Sequence, residues 1–307
     1  IGGLKDVVVH PVLGMETPWE YRNKVAVPFG MKQGEVVAGF YAGQSHHIVD
    51  MDDCSIQHPK MNQVVTAVKE SVKELRIPVY DERDQTGILR HVVVRIGVNT
   101  GEMMVIFVTN GSELPYKKEL VSILQTNFPQ VKSILQNINA RKTNVILGSK
   151  NRLLGGREVI YDTIGKLRFA ISAHSFFQIN AIQTKVLYDQ VLKYATLTGE
   201  EIVLDAYCGI GTIGLYLAQY AKEVYGVEIV SQAIVDAKQN ALLNEIKNAH
   251  FDSGEADEIM LRWYNEGVQP DVIVVDPPRK GCEPQVLDIM GNMKPKKLIY
   301  VSCNPAT

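Results

Sequence analysis

Only four cysteines occur in the 307 residues, Cys54, Cys208, Cys282 and Cys303, and no two of them stand at pair spacing. That pattern suggests neither a disulfide framework nor a zinc site, and a reducing, cytoplasmic location is the default for such a chain. Positive charge is not in excess either: 32 Lys and Arg stand against 34 Asp and Glu, a formal net charge of −2. A nucleic-acid partner is therefore not announced by the chain as a whole, although a local basic patch on a neutral protein can still bind phosphates. No apolar run approaches the roughly 20 residues that a membrane-spanning helix needs, so no membrane partner is expected. Ile1 opens neither a signal-peptide pattern nor a methionine start, and Thr307 directly follows a strand-end motif, so both ends are expected to be cut. What is present, 46% hydrophobic and 21% charged residues, fits a globular chain of about two domains.

The stretch from Glu201 to Gly214 carries the first chemical signal. Ile202, Val203 and Leu204 read as a buried parallel strand closed by Asp205. Gly209 and Gly211 then open a tight turn, and a helical pattern starts at Thr212. Glycine serves where backbone must approach a ligand without a side chain in the way. A dinucleotide site has the same letters, since Gly209, Gly211 and Gly214 match Gly-x-Gly-x-x-Gly. Three later strand ends decide against it. Glu223–Glu228 ends in an acid suited to both hydroxyls of a ribose. Asp271–Arg279 delivers Asp276 with Pro277 and Pro278 to the carboxyl edge, and Lys297–Pro305 delivers Cys303 there. A hydride-transfer enzyme has no use for that cysteine and that Asp-Pro-Pro-Arg, whereas methyl transfer to a pyrimidine ring does.

The motifs Ser175-Phe-Phe-Gln-Ile-Asn180, Asp205-Ala-Tyr-Cys-Gly-Ile-Gly-Thr212, Asp276-Pro-Pro-Arg-Lys-Gly281 and Val301-Ser-Cys-Asn-Pro-Ala-Thr307 resemble the RNA (uracil-5-)-methyltransferase family, the RumA/TrmA group. The resemblance implies a Rossmann-like α/β domain that uses S-adenosyl-L-methionine, with Cys303 as nucleophile and Asp276 beside it. It implies cofactor contacts from Gln178, Tyr207, Gly209, Glu228 and Asp276. The partner it implies is RNA. The size of the module ahead of the catalytic part leans toward the 23S ribosomal RNA branch, with transfer RNA as the alternative. A monomer is expected, and the family's general base, a glutamate, is expected beyond residue 307.

The chemistry fits the residues. Carbon 5 of uracil is too weak a nucleophile to take a methyl group until a thiolate adds at carbon 6 and makes an enolate. An enzyme methylating an exocyclic amine would want an aromatic where Arg279 stands. A cytosine-5 enzyme would want a second cysteine after Asp276-Pro277, and none is there. An RNA-binding module without activity fits poorly with the retention of every strand-end motif.

Residues 1–170 read as an α+β, mostly antiparallel domain, and 171–307 as the methyltransferase domain. Strands are expected at Val7–Pro11, Tyr21–Val27, Val36–Tyr41, His46–Val49, Leu89–Ile96, Met103–Thr109 and, at the crossing into the second domain, Lys166–Ile171. Helices are expected at Pro59–Leu75, Pro115–Asn127 and Asn180–Ala195. Arg22, Asn23 and Lys24 either face RNA or are solvated strand charges. Arg141, Lys142, Lys150, Arg152 and Arg157 either track phosphates or form a solvated hairpin tip. The pair His46-His47 looks metal-like, but neighbours on a strand point to opposite faces. Cys54 matches one ligand of the 4Fe–4S cluster of some family members; the other three cysteines are missing, so no cluster is supported and a half-buried thiol is expected. Cys208 and Cys282 are expected to be bystanders. One of Phe176 and Phe177 is expected in the core, and Asp257 is a candidate partner for an adenine amine, with the neighbouring Glu255 and Glu258 equally available.

Overall fold

A computed structural model describes residues 7–304. The first half forms strands β1 (Lys24–Lys32), β2 (Glu35–Tyr41) and β3 (Ile48–Asp50), helix α1 (Pro59–Glu74), strands β4 (Leu89–Ile96) and β5 (Met103–Thr109), helix α2 (Lys117–Asn127), and strands β6 (Val131–Ile138) and β7 (Lys150–Gly156). They make one seven-stranded sheet in the order β3-β2-β1-β4-β5-β6-β7. All neighbours are antiparallel except β5 and β6, which α2 connects in parallel. Every residue of β4 and β5 is buried, because α1 and α2 cover one face and the second half of the chain covers the other. Strands covered on both faces read as continuous apolar runs rather than alternation. Helix α1 starts where Pro59 needs no donor and His58 Nδ1 accepts from the Lys60 N–H at 3.3 Å. It buries Val64, Val65, Val68 and Val72 on the expected face.

A hairpin of β8 (Ile160–Ile164) and β9 (Leu167–Ile171) follows, then α3 (Ala181–Ala195), β10 (Ile202–Ala206), α4 (Thr212–Ala218), β11 (Glu223–Glu228), α5 (Ser231–Leu243), β12 (Ala249–Ser253), α6 (Ala256–Asn265), β13 (Val272–Val275), α7 (Pro284–Met293) and β14 (Lys297–Tyr300). The second sheet is wholly parallel, in the order β12-β11-β10-β13-β14. The strand order reverses between β10 and β13, and the crevice at that point is where open α/β sheets bind ligands. The hairpin sits between the sheets. The outer N–H groups of β9 are bound by α5, Ala170 N–H to Asn240 Oδ1 and Arg168 N–H to Asn244 Oδ1, both at 2.8 Å. A single core then runs from Val93, Met104 and Ile106 through Ile160 and Phe169 to Val203, Val224 and Val274.

Several expectations are corrected. Val7–Pro11 is no strand: Val8 and Val9 are 74% and 88% exposed and pair with nothing that would hold an extended chain. The strand expected over Tyr21–Val27 starts at Lys24 and runs on through Pro28 and Gly30 to Lys32. Pro28 is tolerated because pairing passes there from β4 to β2, so its missing N–H breaks no ladder bond. His46 and His47 precede β3 instead of lying in it. Leu298, Ile299 and Val301 read in the sequence as one buried strand, but β14 is an edge strand: Leu298 is 50% exposed, and the other face, with Ile299, packs toward α3.

Candidate active site

Gly209 and Gly211 take φ of +55° and +80°, and Tyr207 joins them at +66°, a conformation costly for a tyrosine. A Cβ at Gly211 would meet the Phe251 ring at 3.0 Å, so that glycine is required by packing. Nothing lies within 4 Å of the same position at Gly209. Its surroundings are open, as a close-approaching ligand requires. The turn is tied to the next strand by Glu228, whose Oε2 accepts from Gly209 N–H at 3.2 Å and whose Oε1 accepts from Val230 N–H at 2.9 Å. Each carboxylate oxygen keeps a lone pair for a further donor.

Asp205 is 1% exposed and accepts from Gly214 N–H at 2.7 Å through Oδ2, while Oδ1 has no partner. Burial, with smaller contributions from Asp276 and Glu228, pushes its carboxyl up to about 8. Three carboxylates thus converge on the carboxyl ends of β10, β11 and β13, and burial raises Asp276 as well.

Gln178 Nε2 donates to Asp276 Oδ2 at 3.4 Å. The backbone of Gln178 is fixed from the other sheet: Asn23 Nδ2 donates to its carbonyl at 2.9 Å, and Asn23 N–H to that of Ile179 at 3.0 Å. Asn23 is therefore buried and structural, which removes it from the candidates for RNA contact. Asn180 caps α3 by accepting from Gln183 N–H at 3.0 Å. Phe177 is in the core and Phe176 is 66% exposed.

A cavity of about 390 Å³ collects Gln178, Asp276, Ser302 and Cys303, with Tyr300 beside them and Leu187, Gln190, Val191 and Tyr194 opposite. The last four stand at i, i+3, i+4 and i+7 on α3. Sequence reasoning passed over them, although that spacing on the helix after Gln178 was the signal. Cys303 is exposed, and Ser302 shapes the turn that presents it: its Oγ donates to the Asn304 carbonyl at 2.8 Å and accepts from Asn304 N–H at 3.0 Å. Pro305, which cannot continue a strand ladder and on the sequence alone would turn the chain at Cys303, lies outside the described residues. Cys208 is buried and its thiol is pushed well above its ordinary range by burial. Cys282 touches the phenols of Tyr207 and Tyr300, so it supports the rim of the site. Burial, and then this thiol, raise the Tyr207 phenol.

The structure thus brings Gln178, Asp276 and Cys303 into one cavity. It places Tyr207, Gly209 and Glu228 along the adjoining turn. Asp257 stands in the first turn of α6. Cys54 is half-buried, with no cluster of three or more metal-ligating side chains among the described residues. Arg157 is ion-paired with Glu102, Lys150 and Arg152 lie in β7, and Arg141 and Lys142 stand in the β6–β7 connection.

A parallel sheet of this order, with a glycine turn after its first strand and an acid after its second, is a Rossmann-like nucleotide-binding fold. Residues 113–307, more than half of the chain, match the family model described as tRNA (uracil-5-)-methyltransferase. The chain is 57% identical over its full length to an uncharacterised RNA methyltransferase of Halalkalibacterium halodurans, covering 67% of that protein. It is 50% identical over 305 residues to another of Listeria innocua, again covering 67%. Among solved structures, the tRNA (uracil-54, C5)-methyltransferase of Pyrococcus abyssi in complex with S-adenosyl-L-homocysteine superposes with a TM-score of 0.80 at 31% identity, over 94% of this chain and 68% of that one. The chain belongs to the tRNA (uracil-5-)-methyltransferase family, and spans about two thirds of the length of these relatives. It is an S-adenosylmethionine-dependent enzyme.

Proposed function

We propose that the protein methylates carbon 5 of a uridine in RNA through a covalent bond from Cys303 to carbon 6. The observation that carries this is the single cavity in which Cys303, Asp276 and Gln178 meet, between the carboxyl ends of β13 and β14 and helix α3. The uridine leaves its stack to enter. Cys303 adds as thiolate to carbon 6, and the electron pair of the 5,6 double bond moves toward the carbon 4 oxygen as an enolate. Bound S-adenosylmethionine supplies the electrophilic methyl group that carbon 5 then takes up. A general base, the glutamate that the resemblance implies, takes the carbon 5 proton, which restores the double bond and expels the thiolate. Asp276, held by Gln178, orients the uracil edge. Glu228 accepts the ribose hydroxyls, while Tyr207 and Gly209 form the wall of the donor site. The open space at Gly209 and the spare lone pairs of Glu228 fit such a donor.

Residues 1–170 are taken as the RNA-contacting unit and 171–307 as the transfer unit, working as a monomer in the cytoplasm. The RNA is ribosomal in this reading, on the resemblance of the module ahead of the catalytic part. Transfer RNA is a second reading, favoured by the substrate named for the Pyrococcus protein. Mapping 5-methyluridine in both RNA classes from cells lacking the gene separates them.

The decisive test uses RNA carrying 5-fluorouridine, whose fluorine cannot leave as a proton. A stable adduct is expected on Cys303 by mass spectrometry after digestion, absent in Cys303→Ala. An adduct on Cys208 or Cys282 would overturn the mechanism.

A further inference from the structure

A second, smaller cavity of about 80 Å³ opens at the far end of β1, lined by Lys32, Tyr41, His46, His47, Arg83, Arg90 and His91 among others. Asn23, at the start of that strand, holds the Gln178 backbone. At about 3.3 Å per residue, the seven residues from Asn23 to Gly30 place this cavity roughly 20 Å from the first. By the measure that one water needs about 10–15 Å³, it has room for about six waters.

Its floor is built and unsatisfied. Arg90 is 6% exposed, and its guanidinium donates only to carbonyls, those of Asn139 at 2.7 Å and Arg141 at 2.8 Å. Its Nε has no partner, and the ring of Tyr80 lies 4.7 Å beneath it. No carboxylate pairs with Arg90 among the described residues. His91, 8% exposed, leaves its Nδ1 unpartnered as well. A buried charge without a counter-charge is costly, and such groups are ordinarily paired.

The two acids of the cavity are already engaged. Glu82 accepts from Tyr41 Oη at 3.1 Å and binds His46 Nδ1 at 2.7 Å, and Asp81 accepts from Arg83 N–H at 2.8 Å. The Arg83 side chain is 89% exposed and 3.9 Å from Asp81, so it can turn onto a ligand. The missing partner is thus an anion with several acceptor oxygens. No group of three or more His, Cys, Asp or Glu side chains placed to hold a metal ion occurs among the described residues.

We propose that this cavity seats a phosphate group of the RNA chain on Arg90, with Arg83 and His47 closing over it. The proposal rests on the reading that the protein acts on RNA, and it adds a contact far from the chemistry. Phosphate contacts fix register without reading sequence. One here would set the RNA strand relative to the catalytic cavity.

The test measures binding of a fluorescent uridine oligomer by anisotropy across a series of KCl concentrations. One lost phosphate contact lowers the slope of log affinity against log salt by about 0.7 for a single strand. Arg90→Gln and Arg83→Gln are each expected to lower it by that amount, with S-adenosylhomocysteine binding unchanged by calorimetry. Arg83 is almost fully exposed, so its variant keeps the test valid should Arg90→Gln loosen the fold. A parallel titration with inorganic phosphate should shift the His91 and His47 imidazole signals saturably in the wild type and not in Arg90→Gln. Wild-type slopes in both variants overturn the proposal, and phosphate binding without a slope change leaves a site for the free anion only. Phosphate binding in a wild type that binds no RNA at low salt overturns the RNA reading itself.

Discussion

Asp205 shows how much one buried group can weigh. Its carboxyl is raised to about 8, chiefly by burial, so the folded protein holds a proton that the unfolded chain loses near 4. Its stabilising contribution is therefore complete below about pH 4 and fades as the pH rises through 8. Asp205→Asn keeps an acceptor for Gly214 N–H and has no charge to bury. The difference in stability between variant and wild type should grow between pH 5 and 8 in favour of the variant, by a few kcal/mol at most, as each pKa unit is worth about 1.4 kcal/mol. Urea melts at several pH values check this, and a constant difference would mean that the carboxyl is ionised throughout. Glu228 acts at the same scale through the donors that its two oxygens accept. Glu228→Ala removes the acceptor for two backbone donors and, in the proposed reading, for the ribose, so cofactor affinity should fall about tenfold or more, with about 1–2 kcal/mol lost in stability. Calorimetry showing unchanged affinity would reject the assignment. Asp276→Asn should leave the fold intact while methyl transfer drops about 100-fold, a loss typical of removing a positioned acid or base. Near-normal transfer would reduce Asp276 to a structural cap.

Elements differ in how openly the sequence displays them. The strands that end in Asp205, Glu228, Asp276 and Cys303 were legible because short apolar runs meet glycine, proline or acid at one edge. α1 was legible because its valines share one face. β6 was not, since Ser133, Gln136 and Asn137 stand in it fully buried. Some of their partners come from distant segments, as when Gln136 Nε2 donates to Thr109 Oγ1 at 2.9 Å. A pattern of single residues cannot display a partner 27 positions away. Asn23 was misread for the same reason, with its hydrogen bond spanning 155 positions. The cavity face of α3 lay within reach, because Leu187, Gln190, Val191 and Tyr194 repeat at the helical period. Leu187→Trp, at a position 36% exposed, should narrow the cavity and slow the 5-fluorouridine adduct about tenfold or more, as a misplaced substrate does. S-adenosylhomocysteine binding should persist, and an unchanged adduct rate would place the uridine elsewhere.

The molecule as a whole is joined by the β8–β9 hairpin. Asp162 is fully buried and accepts from Val98 N–H at 3.0 Å and Asn99 N–H at 2.9 Å, fastening the hairpin to the turn between β4 and β5. On its other side α5 binds β9. Phe169 lies in the core that both sheets share. Phe169→Ala should cost about 3–5 kcal/mol and lower one cooperative transition, with fluorescence and circular dichroism coinciding. Two separated transitions would show that the sheets unfold independently. A different consequence follows from Asn23. A hybrid enzyme that borrowed its first sheet from a relative in order to change its RNA would exchange, unnoticed, the anchor of Gln178 as well. Modules here are not interchangeable parts: any graft has to carry an asparagine at position 23 across the junction, or the recipient loses the clamp on the chain that leads into α3.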